Sequence, residues 1–175
     1  FTFLTLCFAY NEPIVVTVWN PGDEGSKYYR IPSIVVASNG SLVIANDKRI
    51  NKPDDIPNLV DIVVKTSHDG GLTWGPTKLI ATGNPKGYCD PSLVLDRKTG
   101  NLIMLYNGNK GFFESTSTDP IRNYLTISKD NGETWSTPRD ITHMLYGYEC
   151  SHSESNGKEC FYHQEKQFSS KVEEL

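Results

Sequence analysis

The sequence predicts an all-β protein built as a partial β-propeller, with about two to three four-stranded antiparallel blades. An octapeptide of pattern S-x-D-x-G-x-T-W begins at Ser67 and occurs again 61 residues later at Ser128. A proline followed by an apolar run recurs at nearly the same spacing, at Pro32 and at Pro91. The 14 glycines and 10 prolines favour many turns over long helices. Internal repeats of this kind are the signature of propellers and related arrays.

The first repeat contains three short apolar runs that are typical of strands. Ile34–Ala37 and Leu42–Ala45 flank Asn39-Gly40, a strong hairpin signal because both central residues of such a turn need positive φ. A long polar loop, Asn46–Asn58, then leads to a predicted third strand at Asp61–Lys65. The octapeptide follows and turns the chain towards a fourth strand.

The second repeat has the same order of elements. Leu93–Leu95 and Leu102–Tyr106 flank the turn Thr99-Gly100-Asn101, and Tyr124–Ser128 forms the third strand. A repeat of about 60 residues with four short antiparallel strands is a propeller blade.

The octapeptide is predicted to be a structural turn. Its aspartate can accept backbone N–H groups within the turn. Gly71 and Gly132 would supply left-handed backbone, and Trp74 and Trp135 would pack on the sheet.

Strand parity places the polar residues on two opposite rims. The start of a first strand and the loop between strands two and three share one rim, so Arg30, the loop Asn46–Asn58 and Asp90 lie together. The octapeptide turns lie on the far rim. Two arginines on one rim could grip a carboxylate, and a loop carboxylate such as Asp54 or Asp55 could act as a general acid or base. Surface ion pairs and turn-forming aspartates are the alternative interpretation.

Composition and missing motifs exclude several classes. The formal net charge of −4 argues against a basic face for nucleic acid. No apolar run approaches the ~20 residues of a membrane span. The sequence lacks a P-loop, a Rossmann fingerprint, H-E-x-x-H and G-x-S-x-G. One carboxylate per octapeptide is too few for an EF-hand type calcium site. No cofactor and no metal are therefore expected.

The propeller is predicted over residues 11–147. Residues 1–10 are either the end of a signal peptide or a first strand. Residues 148–175 are polar and are predicted to be a loop or disordered tail. The tail contains four residues that could form a disulfide or bind zinc: Cys150, His152, Cys160 and His163. Their wide spacing favours a plain solvated tail instead.

The chain resembles the sialidase (neuraminidase) family. Y-R-I-P at Tyr29–Pro32 is similar to the family's arginine motif, and the two octapeptides match its Asp boxes. The segment Asp47–Trp74 resembles the stretch that ends in the first Asp box of bacterial-type enzymes. Gly87–Gly100 resembles the start of the next blade. The likeness covers residues from about 14 to 146.

The resemblance implies a six-bladed propeller that hydrolyses terminal α-linked sialic acid with retention, through a tyrosine nucleophile. Arg30 would be the first of three arginines that hold the sugar carboxylate, and Arg49 would contact the ring hydroxyl at C4. Asp55 would be the acid/base, with Asp54 as the alternative, and Asp90 would lie near the acetamido group. Sialylated glycoproteins, glycolipids and oligosaccharides would be the substrates, and a secreted or cell-surface location is expected.

The family's other arginines, nucleophile and glutamate have no counterpart in this sequence, and Tyr146, Tyr148 and Tyr162 lack the matching context. Three hypotheses remain: the N-terminal portion of a sialidase, a non-enzymatic glycan-binding remnant, and a half-propeller completed by another chain. Open blade edges predict self-association of the isolated chain.

Overall fold

The computed structural model describes residues 14–116 and 118–145. Over these residues the chain forms two four-stranded antiparallel sheets, each in the strand order of the sequence. The first sheet contains β1 (Tyr28–Val36), β2 (Leu42–Arg49), β3 (Val60–Ser67) and β4 (Lys78–Ala81). The second contains β5 (Tyr88–Leu95), β6 (Leu102–Gly108), β7 (Arg122–Ser128) and β8 (Arg139–Asp140). The predicted all-β partial propeller is confirmed, with two blades in the described part.

The helices are short. Two 3-10 turns occupy Asp23–Gly25 and Phe112–Glu114, and α1 covers Thr142–Leu145. None of these described helices has the length or hydrophobicity needed to cross a membrane. The interpretations of residues 1–10 and 148–175, including the tail cysteines and histidines, concern segments outside the described residues.

The strands are longer than the sequence predicts, and this moves several site residues from loops into strands. β1 begins at Tyr28 and therefore contains Arg30, whereas β2 continues through Arg49 into the predicted loop. A β-bulge interrupts the β1–β2 register between Arg30 and Ser33, and an equivalent bulge lies in β5 between Cys89 and Ser92. These irregularities fall next to the proline of each repeat.

The main core lies between the two blades. Apolar side chains of β2 and β3 meet side chains of β6 there, and all are almost fully buried: Val43, Ala45, Ile62, Val64, Leu102, Met104 and Tyr106. Burying such side chains contributes about 1.5–3 kcal/mol each. This shared core thus fixes the position of one blade relative to the other.

The opposite face of the first blade is partly covered by the segment that precedes β1. Trp19 stacks on Tyr29 at a ring-centroid distance of 5.5 Å and donates a hydrogen bond from its indole Nε1 to Thr77 Oγ1 at 3.0 Å. Elsewhere on the outward faces of the blades, apolar side chains such as Ile34 and Val94 are more than half exposed. The predicted self-association stays a prediction.

The octapeptide turns have the predicted chemistry. The Asp69 carboxylate accepts the backbone N–H of Thr73 at 2.9 Å and the hydroxyl of Thr73 at 2.5 Å. Asp130 and Thr134 repeat both contacts, at 2.8 and 2.5 Å. Hydrogen bonds from the Thr73 side chain and backbone lower the pKa of Asp69 to about 2. The carboxylate is therefore committed to shaping the turn.

The second octapeptide also docks on the first blade, on the rim opposite Arg30. Lys78 donates to the carbonyl of Gly132 at 3.0 Å and pairs with Glu133 at 2.8 Å. Ser38 Oγ donates to Asn131 Oδ1 at 2.9 Å. These three contacts hold the two blades together at the far rim.

We expect Gly132→Ala to destabilise the protein more than Gly70→Ala. Both glycines have positive φ, +91° and +74°, where an alanine costs roughly 1–2 kcal/mol. A Cβ at Gly132 would also lie 2.7 Å from Val43 Cγ2 in the interblade core, whereas none of the described atoms lies within 4 Å of a Cβ at Gly70. Overpacking adds about 1–3 kcal/mol. Urea denaturation of both variants checks this, and equal losses would contradict interblade docking of the turn.

Candidate functional site

The candidate site lies on one rim, called the near rim, formed by the start of β1, the end of β2, the loop of residues 50–59 and the start of β5. The antiparallel order of the strands brings these segments together. Arg30, Arg49, Asp55 and Asp90 all lie on this rim, as strand parity predicts. Asp54, the alternative candidate for the acid/base, lies on the same rim in the loop of residues 50–59.

Among the described residues of the near rim, Arg49 is the charged side chain with the most hydrogen bonds. It is fully buried and donates to Asp47 Oδ2 from Nη2 at 2.8 Å and from Nε at 3.3 Å. Its Nη2 also donates to Asp55 Oδ1 at 2.5 Å. Its Nη1 donates to the carbonyl of Pro53. The guanidinium is thus held by two carboxylates and one loop carbonyl.

Arg30 reaches the same loop from the neighbouring strand. Its Nη1 donates to the Pro53 carbonyl at 3.2 Å, so both arginines meet at one oxygen. The Arg30 side chain is exposed, and the Asp55 side chain is 71% exposed despite its ion pair with Arg49. An accessible cation and an accessible carboxylate therefore flank a shared loop carbonyl.

The loop that carries Asp55 is pinned at its base. Asn58 Nδ2 donates to the carbonyl of Asp54 at 2.8 Å and to that of Lys52 at 3.1 Å. Ile56 is 6% exposed and packs with Val60 and Cys89 in a small apolar cluster. The backbone of this loop is therefore fixed, although its two acidic side chains point outwards and are exposed.

Asp54 and Asp55 differ in their contacts. Asp55 is ion-paired to Arg49, whereas the Asp54 carboxylate has no hydrogen-bond partner among the described residues. Asp54 contributes its backbone carbonyl to Asn58 instead. The two candidates therefore differ in environment, since only Asp55 is held by a buried cation.

Asp47 is the site residue to which sequence reasoning gave no role. It is 0% exposed, and its Oδ1 accepts the backbone N–H of Asp90 at 3.0 Å, across the blade boundary. Burial raises its pKa to about 7, against the opposing effect of hydrogen bonds from Arg49, and the nearby Asp90 carboxylate raises it further. The D-x-R spacing puts Asp47 and Arg49 on one side of β2, which is the signal that could have identified it.

Asp90 occupies the bulge of β5 in a left-handed conformation, with φ of 59°. Its counterpart in β1 is Ile31, with φ of 56°, so the residue of the second blade that is equivalent to Arg30 is Cys89 rather than Asp90. Cys89 is buried, and its thiol lies 3.2 Å from Asp90 Oδ2. Burial and the Asp90 charge raise the pKa of this thiol.

The near rim presents two guanidinium groups and several carboxylates without a metal-binding cluster. Within residues 14–116 and 118–145, no group of three or more His, Cys, Asp or Glu side chains is arranged to hold a metal ion. Guanidinium groups recognise carboxylates and hydroxyls through directed hydrogen bonds. Exposed carboxylates beside them can transfer protons.

These features define a class of protein: Asp-box propellers with an arginine- and aspartate-lined rim. The chain belongs to the BNR repeat-like domain family, whose model matches residues 25–159. The predicted likeness to sialidases is confirmed by curated relatives. The chain is 32% identical over 148 residues to a sialidase of Bacteroides fragilis and 35% identical over 127 residues to one of Micromonospora viridifaciens.

These matches cover 74% and 66% of this chain, but 27% and 20% of the two relatives. The chain thus spans between a fifth and just over a quarter of their length. Among solved structures, the Hadza microbial sialidase Hz136 is 31% identical with a TM-score of 0.63, over 70% of this chain and 27% of that one. A leech intramolecular trans-sialidase shares the fold, with a TM-score of 0.65 and 14% identity over 75% of this chain and 37% of that one.

Proposed function

We propose that the near rim binds terminal sialic acid and takes part in its hydrolysis from glycoconjugates, as in an exo-α-sialidase. The observation that carries the proposal is the meeting of Arg30 and Arg49 at the Pro53 carbonyl, beside the exposed carboxylate of Asp55. A carboxylated sugar needs a cationic partner, and its glycosidic oxygen needs a proton donor. Identity above 30% to proteins named sialidase supports the same function.

Each side chain receives a distinct role in this proposal. Arg30, exposed and held only by one loop carbonyl in the described structure, grips the sugar carboxylate. Arg49 contacts the ring hydroxyl at C4, and Asp90 lies near the acetamido group. Asp55 protonates the leaving oxygen, with Asp54 as the alternative. The substrates are sialylated glycoproteins, glycolipids and oligosaccharides, and a secreted or cell-surface location forms part of the proposal.

The test is binding of N-acetylneuraminic acid to the chain and to Arg30→Ala, measured by saturation-transfer NMR and titration. A charge-assisted arginine contact contributes about 1.5–3 kcal/mol, so the affinity should fall about 10–100-fold. The methyl ester of the sugar, which lacks the charge, should bind the wild-type chain as weakly as the free acid binds the variant.

Arg97→Ala is the matched control, because Arg97 is exposed in the β5–β6 turn on the far rim. It removes the same charge and should leave the affinity unchanged. Equal losses in both variants, or no binding by the wild-type chain, would overturn the proposal. Binding without cleavage of a fluorogenic sialoside by the intact protein would instead favour a glycan-binding remnant.

A further inference from the structure

Asp47 uses both carboxylate oxygens, and each faces a different blade. Oδ2 accepts hydrogen bonds from Nε and Nη2 of Arg49 on its own strand, and Oδ1 accepts one from the backbone N–H of Asp90 on β5. The side chain is 0% exposed. An interior carboxylate with this set of donors connects Arg49 in the first blade to Asp90 in the second.

Asp47 also competes with Asp55 for the same nitrogen. Arg49 Nη2 lies 2.8 Å from Asp47 Oδ2 and 2.5 Å from Asp55 Oδ1. Without the Asp47 carboxylate, Asp55 would remain as the carboxylate partner of Arg49 in the described site. The guanidinium would then be free to follow the exposed loop side chain instead of keeping one orientation.

The second contact of Asp47 is made at the bulge of β5, where it holds the backbone of Asp90. Asp90 adopts φ of 59° immediately before Pro91, a conformation that is uncommon for non-glycine residues and disfavoured before proline, so the surrounding structure must restrain it. The hydrogen bond from its backbone N–H to Asp47 is such a restraint. Losing it would release the backbone that carries the Asp90 side chain.

We propose that Asp47 is a positioning residue of the near rim, whose carboxylate fixes the Arg49 guanidinium and the Asp90 backbone relative to each other across the two blades. This inference rests on the proposed function, in which Arg49 and Asp90 bind different parts of one sugar. Asp47 itself is buried beneath them and does not touch the substrate.

The test compares Asp47→Asn with Asp61→Asn in the intact chain. Asp61 is also buried, at 8% exposure, and its Oδ1 accepts the backbone N–H of Gly83 at 2.8 Å, away from Arg49. The two variants make the same chemical change in neighbouring strands of one blade. A purely structural role for Asp47 would give them the same behaviour.

Two readouts separate positioning from stability. In Asp47→Asn, the Arg49 Nε–Hε NMR signal should exchange with water at least tenfold faster, and affinity for N-acetylneuraminic acid should fall at least tenfold. The same substitution should weaken binding of the 4-deoxy sugar less, because this sugar lacks the hydroxyl assigned to Arg49. Asp61→Asn should leave the exchange rate and both affinities unchanged. If Asp47→Asn does not fold, Asp47→Glu keeps the charge and should show the same loss in affinity.

A folded Asp47→Asn chain with wild-type exchange and affinity would overturn the inference, as would equal changes in Asp61→Asn. If the wild-type chain binds the sugar and Asp47→Asn binds it equally well, only the role of Asp47 is refuted and the proposed function is unaffected. Absence of sugar binding by the wild-type chain refutes the proposed function, and the Arg49 exchange rate then still decides whether Asp47 holds the guanidinium.

Discussion

Arg49→Met is expected to lower the free energy of unfolding by about 3–5 kcal/mol. The methionine has a similar length but carries no charge, so it leaves the Asp47 carboxylate buried at 0% exposure without its cation. Removing one partner of a buried ion pair costs far more than the pair contributes, because the remaining carboxylate is left desolvated without its cation and loses its charge only by binding a proton. Urea denaturation followed by tryptophan fluorescence gives the loss directly.

Arg97→Met provides the control, since Arg97 is exposed on the far rim and should change stability by less than about 0.5 kcal/mol. The double variant Asp47→Asn with Arg49→Met removes both charges, and much of the lost stability should return. If Arg49→Met were as stable as wild type, the buried pair could not be the element that holds the near rim.

The blades could be predicted because their signals are local and repeated. Short apolar runs rich in Val, Ile and Leu define strands, the Asn39-Gly40 turn defines a hairpin, and the octapeptide marks its own turn through Asp69 and Asp130. Strand parity then assigns every loop to a rim without knowledge of side-chain contacts. This is why Arg30, Asp55 and Asp90 could be placed together from the sequence.

The contacts within the site could not be predicted in the same way. Ile31 is β-branched, precedes proline and has φ of 56°, which propensity alone disfavours. The bulge it forms, and the matching one at Asp90, interrupt the strand register at positions that the apolar pattern does not mark. The partner of Asp47 in the second blade depends on that bulge, so the role of Asp47 emerges only in the folded chain.

Asp55→Asn is expected to reduce cleavage of sialosides by about 10²–10⁴-fold in kcat/KM, the usual contribution of a general acid. The effect should depend on the leaving group. A sugar alcohol departs poorly without a proton, whereas an aryl alcohol of low pKa departs readily by itself. The loss should therefore be large for a sialyl oligosaccharide and much smaller for an aryl sialoside, when both are measured on a protein that also contains the nucleophile and the arginines that have no counterpart in this sequence.

Asp54→Asn is the matched comparison, because the neighbouring carboxylate is also exposed on the same loop but has no partner in the described part of the chain. Its effect should be small and independent of the leaving group. A leaving-group-dependent loss in Asp54→Asn, with Asp55→Asn near wild type, would transfer the acid role to Asp54. The Arg49–Asp55 ion pair would then serve only to hold the loop in its conformation. A residue with that role alone would affect all leaving groups equally.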